Sequence, residues 1–320
     1  MKALQGVEGH VSWVEAERPA CDAGQVRIRV AAAGLNRADL LQKAGLYPPP
    51  PGASPYMGLE CAGVIEEVGA GVAWRVGDRV CALLASGAMA QEVVVDARHV
   101  LPVPEGLSLH EAAALPEVYA TAWLNIFQLG ALKPGEKVLV HAGASGVGSA
   151  AIQLCKAFGS PVWVSVGSKE RLAYCEALGA AGGVVRNENL DDLKGLGPFD
   201  VVLDPVGASY GALNLEVLSR DGRWVIIGLM GGRKVELDLG VVLGKRLEIT
   251  GSTLRNRDDS FKAELLRELA VQVWPLFSEG RLSPQLVDTY PVEFAQAAYA
   301  ALESNQVSGK LVMVIDPSLK

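Results

Sequence analysis

The chain has 320 residues, of which half are hydrophobic and a fifth are charged, and its net charge is −7. The length allows two domains, because single cores rarely grow beyond ~250 residues. The acidic balance, without a Lys/Arg cluster, argues against a nucleic-acid partner. The longest uncharged stretch, residues 118–132, falls short of the ~20 apolar residues that span a bilayer. Residues 1–14 lack the apolar core of a signal peptide, so we expect a cytoplasmic protein.

Residues 1–116 are predicted to form a β-rich domain. Residues 25–30 alternate between apolar and polar side chains, and two further strand-like runs, 63–68 and 78–83, are separated by glycine turns. The five cysteines are dispersed without C-x-x-C spacing. This pattern is more typical of small buried side chains than of disulfides or a metal cluster.

Residues 117–255 are predicted to alternate between strands and helices. Strands are expected at 137–140, 162–166, 200–203, 224–227 and 247–250, with helices such as 169–178 between several of them. This alternation favours an α/β fold with a doubly wound parallel sheet. The last stretch contains two predicted helices, 259–277 and 293–303, and a lone strand, 311–315. Because a lone strand needs a sheet, we expect residues 256–320 to complete the first domain.

A glycine-rich turn follows the first of these strands. Gly143 and Gly148 fit the outer positions of G-x-G-x-x-G, whereas Ser145, followed by Gly146 and Val147, takes the middle position. Such a turn between strand and helix lets the backbone approach a pyrophosphate. We predict that these residues bind a dinucleotide. A plain strand-to-helix turn is the alternative, and Ser145 could either donate to the cofactor or be a small residue tolerated there.

The second strand of this fold predicts which dinucleotide is preferred. It ends in Gly167, Ser168 and Lys169, where NAD-preferring sites carry a carboxylate for the ribose 2′-hydroxyl. A hydroxyl and an ammonium suit a 2′-phosphate instead, which favours NADPH. Ser168 could also simply cap the next helix. Arg186 is a further candidate for the phosphate, with a solvated surface position as the alternative.

Other candidate cofactor residues follow later strands, at the carboxyl ends where open α/β sheets bind ligands. Val206 follows the strand at 200–203, and Leu229, Met230 and Gly231 follow the strand at 224–227. Leu254 is a further candidate.

Several segments resemble the medium-chain dehydrogenase/reductase superfamily. They are AGLNRAD (33–39), GLECAG (58–63), VGAG (68–71), VGDRV (76–80) and HAGASGVG (141–148). Within it, the chain is most similar to the zinc-free quinone oxidoreductases related to zeta-crystallin, and among these to the p53-inducible branch. The segments that carry this likeness are NRADL (36–40), YPPPPGAS (47–54), DGRW (221–224) and GLMGG (228–232).

The resemblance implies a GroES-like domain plus a Rossmann domain, NADPH binding, and reduction of quinones or activated enones. It places Asn36 near the nicotinamide ribose, Thr121 near the carboxamide, Lys310 near the cofactor, and Tyr47 at the substrate mouth. Each position has an ordinary alternative: a turn residue, a helix residue, a surface lysine, and an anchor for the proline-rich loop 48–51.

The resemblance also bears on zinc, because the superfamily includes zinc alcohol dehydrogenases. A family cysteine is replaced by Asn36 and a family histidine by Leu59, so Glu60 alone remains of that ligand set. Residues 81–95 also lack the cysteines of the structural zinc lobe. A catalytic zinc site needs three protein ligands, so we predict no metal.

We therefore expect an NADPH-dependent quinone reductase that uses hydride or single-electron delivery, with Tyr47, Asn36 and Ser145 as catalytic candidates. A quinone or enone delocalises the arriving charge, so that the protein mainly orients the reactants and excludes water. The alternatives are an enoyl-thioester or alkenal reductase and an NADPH-binding sensor with little turnover. The apolar strand near 247–250 is expected to pair with its copy in a homodimer.

Overall fold

The computed structural model describes residues 1–188 and 190–319, which divide into two compact units. The first unit comprises residues 1–120 and those from Leu254 onward, and the second unit comprises Thr121–Thr253. No helix in the described residues is long and apolar enough to cross a membrane.

The N-terminal part of the first unit consists mainly of short strands. They are β1 (Lys2–Val7), β2 (His10–Glu15), β3 (Gln25–Gly34), β4 (Glu60–Val68), β5 (Arg79–Leu83), β6 (Glu92–Asp96) and β7 (Val100–Pro102). The helices are α1 (Arg37–Lys43), α2 (Leu109–Ala112) and α3 (Pro116–Trp123). In β3, Val26, Ile28 and Val30 are fully buried, which accounts for the alternation in the sequence.

The second unit alternates between strands and helices. Its strands are β8 (Val138–His141), β9 (Val162–Val166), β10 (Gly182–Val185), β11 (Phe199–Asp204), β12 (Leu218–Ile226) and β13 (Glu248–Gly251). Its helices are α4 (Gly146–Ala157), α5 (Lys169–Leu178), α6 (Leu193–Leu196), α7 (Gly211–Val217) and α8 (Leu239–Lys245).

These six described strands form one parallel sheet in the order β10-β9-β8-β11-β12-β13. The strand order reverses between β8 and β11, which is where doubly wound sheets bind ligands. Central strand residues such as Val138, Val140 and Val202 are fully buried, as expected of a sheet covered on both faces. The predicted α/β class with a doubly wound parallel sheet is confirmed.

The C-terminal segment returns to the first unit. Its elements are α9 (Asp259–Gln272), α10 (Trp274–Ser278), β14 (Leu286–Pro291), α11 (Ala295–Glu303) and β15 (Lys310–Val314). β15 pairs antiparallel with β3, so the final strand joins the sheet of the first unit, whose order is β14-β15-β3-β4-β5-β7. β6 also pairs with β3.

Two features of this segment differ from the sequence-based prediction. The single helix predicted at 259–277 is interrupted at Val273, and Pro275 stands in the first turn of α10. Proline has no N–H to donate and its ring clashes with the preceding turn, which explains the break. β14 was not predicted, because none of its side chains is fully buried and no apolar alternation marks it. All five cysteines are free thiols, and four of them are buried, as expected.

Candidate active site

The glycine turn after β8 has the close contacts that a dinucleotide turn requires. A Cβ at Gly148 would lie 2.7 Å from the carbonyl oxygen of Ala142 and collide with Gly143, and a Cβ at Gly143 would lie 2.5 Å from Val164. Ser145 is the N-cap of α4, and its hydroxyl oxygen accepts a hydrogen bond of 3.1 Å from the Gly148 amide. Because the oxygen accepts, the hydroxyl hydrogen of Ser145 can still be donated to a ligand.

The tip of β9 contains the residues predicted for the 2′-phosphate. Ser168 is the N-cap of α5, accepting a hydrogen bond of 3.4 Å from the Arg171 amide, so the capping alternative is realised. Lys169 is exposed and forms a 3.3 Å ion pair with Glu188. An exposed pair of this kind contributes little stability, so Lys169 can reorient toward an anion at small cost.

Arg171 is a cationic residue at this tip that the sequence analysis missed. Its guanidinium nitrogen lies 3.2 Å from the position that a Cβ on Gly167 would occupy. Burial lowers the pKa of Arg171, and the positive charge of Arg186 lowers it further. Two neighbouring guanidinium groups repel each other, and an anion between them would relieve that repulsion. The spacing Ser168-Lys169-x-Arg171, one helical turn from the strand tip, could have revealed it.

A buried carboxylate fixes the loop that follows β11. The Oδ1 atom of Asp204 accepts hydrogen bonds from the amides of Val206, at 2.7 Å, and Gly207, at 2.9 Å. Its Oδ2 atom accepts from Asn214 Nδ2, at 3.0 Å, and Trp224 Nε1, at 2.9 Å. Asp204 is fully buried, and four donors satisfy its charge without a cation.

The same network continues to the strand that precedes the glycine turn. His141 Nε2 lies 2.8 Å from Asn214 Oδ1, and His141 Nδ1 lies 2.7 Å from Ser165 Oγ. Burial lowers the pKa of His141, which favours the neutral imidazole. Because the Asn214 amide group donates to Asp204, its oxygen must accept, so the proton of His141 is on Nε2.

The structure brings the predicted residues after β11 and β12 together. The amide of Gly231 donates to the carbonyl of Val206 at 2.7 Å, and Met230 donates to Pro205 at 3.3 Å. Leu229 and Met230 are about half exposed, at 52% and 50%. This loop pair therefore presents apolar side chains at the carboxyl edge of the sheet.

In the first unit, Lys310 is buried within a polar cluster. Its ammonium donates to Glu60 Oε1 at 2.6 Å, Leu35 O at 2.7 Å and Asn36 Oδ1 at 2.8 Å, which uses all three of its hydrogens. The alternative of a surface lysine is therefore wrong. Asn36 Nδ2 also donates to Glu60 Oε1, at 2.9 Å, so the amide has one defined orientation.

The residues at the positions where the resemblance expects zinc ligands do not have the contacts of a metal site. Leu59 is buried and offers no ligand atom, while Glu60 is engaged by the ammonium of Lys310. Among the residues that the structure describes, no group of three or more His, Cys, Asp or Glu side chains could hold a metal ion.

Two further carboxyl groups belong to this cluster. Asp39 is fully buried, and its Oδ2 accepts a hydrogen bond of 2.8 Å from the backbone N–H of Asn36, whereas its Oδ1 has no hydrogen-bond partner in the described residues. Burial raises the pKa of Asp39 to about 7. The Glu117 amide donates to Glu60 Oε2 at 2.9 Å, and burial, followed by the charge of Glu60, raises the pKa of the Glu117 carboxyl to about 8. No motif or spacing in the sequence indicated either pKa shift.

Tyr47 is half-buried beside Arg255. The guanidinium carbon of Arg255 lies 4.9 Å from the centroid of the Tyr47 ring, and the guanidinium donates to the Tyr47 carbonyl at 2.9 Å. Burial raises the pKa of Tyr47, Arg255 opposes that rise, and Glu117 adds to it. The phenol is therefore protonated at neutral pH and available as a donor.

The remaining predicted residues have structural contacts but no tested role. The carbonyl of Thr121, in α3, accepts a hydrogen bond of 2.7 Å from Asn125, which lies in a π-helical turn over Leu124–Leu129. Such turns are frequent at functional sites. Leu254 is buried in the first unit. The cofactor roles of Thr121 and Leu254 stay predictions.

Comparisons with known proteins agree with this architecture. Residues 22–105 match the family model described as alcohol dehydrogenase GroES-like domain, and residues 146–270 match the one described as zinc-binding dehydrogenase. The chain is 33% identical to the synaptic vesicle membrane protein VAT-1 homolog of Danio rerio, over 95% of this chain and 67% of that protein.

Solved structures show the same fold over nearly the whole chain. The Escherichia coli quinone oxidoreductase complexed with NADPH is 28% identical, with a TM-score of 0.86 over 98% of this chain and 100% of that one. The CurK enoyl reductase is 28% identical, with a TM-score of 0.83 over 98% of each chain. The predicted superfamily is confirmed: the chain belongs to the medium-chain dehydrogenase/reductase superfamily of oxidoreductases.

Proposed function

We propose that this protein is an NADPH-dependent quinone reductase that works without a catalytic metal. The observation that carries the proposal is the ion pair between Lys310 and Glu60, at 2.6 Å, beside Asn36 and Leu59. At the positions where the resemblance expects zinc ligands, this chain has an amide (Asn36), a hydrocarbon (Leu59) and a carboxylate (Glu60) that the Lys310 ammonium neutralises. A quinone suits such a site because its ring delocalises the incoming negative charge without a Lewis acid.

The residues of the second unit fit NADPH. Gly143 and Gly148 leave room for a pyrophosphate at the start of α4, and Ser168, Arg171 and Arg186 supply a hydroxyl and two cations for a 2′-phosphate. The similar quinone oxidoreductase of E. coli is complexed with NADPH. When bound, NADPH supplies a hydride to the acceptor.

The chain's own residues bind the cofactor, orient the reactants and protonate the acceptor. Lys310 and Glu60 fix the Asn36 amide for contact with the cofactor ribose, and Ser145 donates its hydroxyl hydrogen to the cofactor. Tyr47, protonated at neutral pH, gives its proton to the acceptor oxygen that gains charge.

The test is an assay of NADPH and NADH oxidation with 1,2-naphthoquinone, 1,4-naphthoquinone and a 2-alkenal, followed by nicotinamide absorbance. We expect oxidation of NADPH by the quinones and a much lower kcat/KM for NADH. Tight NADPH binding without oxidation by any acceptor would overturn the proposal in favour of a nucleotide-binding sensor. If Ser145→Gly kept both NADPH affinity and rate unchanged, Ser145 would have no part in turnover.

Enoyl reduction is the second candidate, because the CurK enoyl reductase shares the fold over nearly the whole chain at 28% identity. An enoyl thioester needs the same hydride and proton as a quinone. The two activities are distinguished by adding crotonyl-coenzyme A to the assay: a kcat/KM above that of every quinone would favour the enoyl reductase.

A further inference from the structure

Arg255 is a buried cation to which neither the sequence analysis nor the proposed function gives a role. Arg255 is only 5% exposed and lies in the first unit together with its hydrogen-bond partners. It donates to Ala85 O at 2.7 Å, Tyr47 O at 2.9 Å, Gln42 Oε1 at 2.6 Å and Ser86 Oγ at 3.2 Å. None of these hydrogen-bond partners is a carboxylate, and the carboxyl groups of Asp39 and Glu117 act on Arg255 only through their charge.

Stability alone does not explain this buried guanidinium. Burying a cation without a hydrogen-bonded carboxylate costs more than burying an apolar side chain of similar size. The guanidinium lies over the Tyr47 ring, with 4.9 Å between the guanidinium carbon and the ring centroid. The hydrogen bonds fix both the guanidinium and the backbone of Tyr47, which precedes the stiff proline run 48–51.

We propose that Arg255 is the positioning residue of the proton donor, holding the Tyr47 ring in place and stabilising the negative charge that its oxygen acquires when the proton leaves. In the reaction, the Tyr47 O–H bond breaks and a new O–H bond forms on the acceptor, which also receives the hydride. The tyrosinate regains a proton from water, so each acceptor consumes one hydride and one proton. A cation above the ring lowers the free energy of the tyrosinate but not that of the phenol.

The groups that face Tyr47 act in opposite directions. The charge of Arg255 lowers the pKa of Tyr47, whereas the charge of Glu117, which is present once that carboxyl ionises above about pH 8, raises it. Removing the guanidinium therefore leaves burial and Glu117 acting together, and the pKa of Tyr47 rises.

The experiment uses Arg255→Met, Arg255→Lys and Tyr47→Phe in the full chain, with two readouts. The first is the tyrosinate absorbance near 295 nm during alkaline titration of the cofactor-free protein, from which the Tyr47→Phe curve is subtracted to isolate Tyr47. We expect Arg255→Met to raise the midpoint by about one pH unit or more, because an opposite charge this close shifts a pKa by ~1–3 units. Arg255→Lys keeps the positive charge but lacks the planar guanidinium, so it should shift the midpoint less.

The second readout is a double-mutant cycle on kcat with 1,2-naphthoquinone. Arg255→Met should lower kcat by about tenfold or more in the wild-type background, but by much less in the Tyr47→Phe background. A merely structural role would lower kcat equally in both backgrounds. Arg257→Met is the control, because its guanidinium lies 4.6 Å from the ring of Phe261, which cannot titrate, and we expect no change in either readout.

This inference rests on the proposed function for the reaction, but the titration does not depend on it. If the wild type oxidised no NADPH with any acceptor, the proposed function would fail while the midpoint shift still tested Arg255. An unchanged midpoint in folded Arg255→Met, or equal losses of kcat in the two backgrounds, would overturn the inference. If Arg255→Met does not fold, Ser86→Ala removes one acceptor of the guanidinium, and the same cycle applies with smaller expected effects.

Discussion

The ammonium nitrogen of Lys310 lies 2.6 Å from Oε1 of Glu60, and both side chains are buried. We expect Lys310→Met to lower the free energy of unfolding by ~3–5 kcal/mol, because it leaves an uncompensated buried carboxylate. The measurement is urea denaturation at neutral pH. The control is Lys2→Met, which removes an exposed pair with Glu15 at 3.9 Å and should cost at most ~1 kcal/mol. A loss for Lys310→Met as small as that of the control would contradict a buried ion pair.

The raised pKa of Glu117 predicts how stability depends on pH. The unfolded chain releases this proton near the ordinary value of 4.5, whereas the folded protein retains it up to about 8. Between these values the unfolded state binds fewer protons, so the free energy of unfolding falls as pH rises. We expect Glu117→Gln to lose less stability than the wild type between about pH 5 and pH 8, as measured by urea denaturation.

Glu264→Gln is the matched control for Glu117→Gln. Glu264 is exposed, and a hydrogen bond from Arg267 lowers its pKa. Its contribution to the free energy of unfolding is therefore lost only when the pH falls below the ordinary pKa of 4.5. The slope of stability between about pH 5 and pH 8 should therefore match that of the wild type. Identical slopes for Glu117→Gln and the wild type would show that Glu117 titrates normally.

The two cations at the tip of β9 predict cofactor preference. Because Arg186 lies close enough for its charge to lower the pKa of Arg171, the two cations can share one anion, and removing one weakens the attraction for a 2′-phosphate. We expect Arg186→Ala to weaken NADPH binding by roughly tenfold to a hundredfold, corresponding to ~1.5–3 kcal/mol for a charged hydrogen bond. NADH lacks this phosphate, so its affinity should stay within about twofold. Titration of nicotinamide fluorescence measures both, and equal losses would place Arg186 elsewhere.

The sequence predicted those features of the fold and the site that depend on residues close together in the chain. Periodicity and turn chemistry located α5 and β9, and the glycine spacing located the turn whose close contacts require Gly143 and Gly148. Lys310 and Glu60 are 250 positions apart, so their pairing leaves no periodic signal.

The same limit applies to the groups that the sequence analysis missed. Arg255 meets Tyr47 across 208 positions, and Asp204 meets Trp224 across 20, so nothing near either residue marks it. Burial, which raises the pKa of Asp39 and Glu117, depends on tertiary packing. The sequence therefore predicted which side chains could take part in the site, but it did not predict which groups pair with the buried charges.

Asp204 predicts a second stability effect, in the other unit. Asp204→Asn replaces one acceptor oxygen by an NH₂ group. That group would face either the donors of Asn214 and Trp224 or the N–H groups of the loop, so donors would oppose donors. We expect a loss of ~2–4 kcal/mol in the free energy of unfolding, since buried groups lose their partners. Asp238→Asn is the control, because Asn caps a helix about as well as Asp. Equal urea midpoints for these two variants would show that the network contributes no stability.

Strand β13 predicts how two copies of the chain associate. It is one of the two edge strands of the described parallel sheet, and Ile249 on β13 and Leu243 on the neighbouring α8 are exposed, at 37% and 80%. We propose that β13 pairs with its copy across a two-fold axis, covering these side chains. Light scattering after size-exclusion chromatography should give a dimer mass for the wild type and a monomer mass for Ile249→Lys. Val76→Lys, at an exposed apolar site in the first unit, should remain dimeric. A monomeric wild type would refute the proposal.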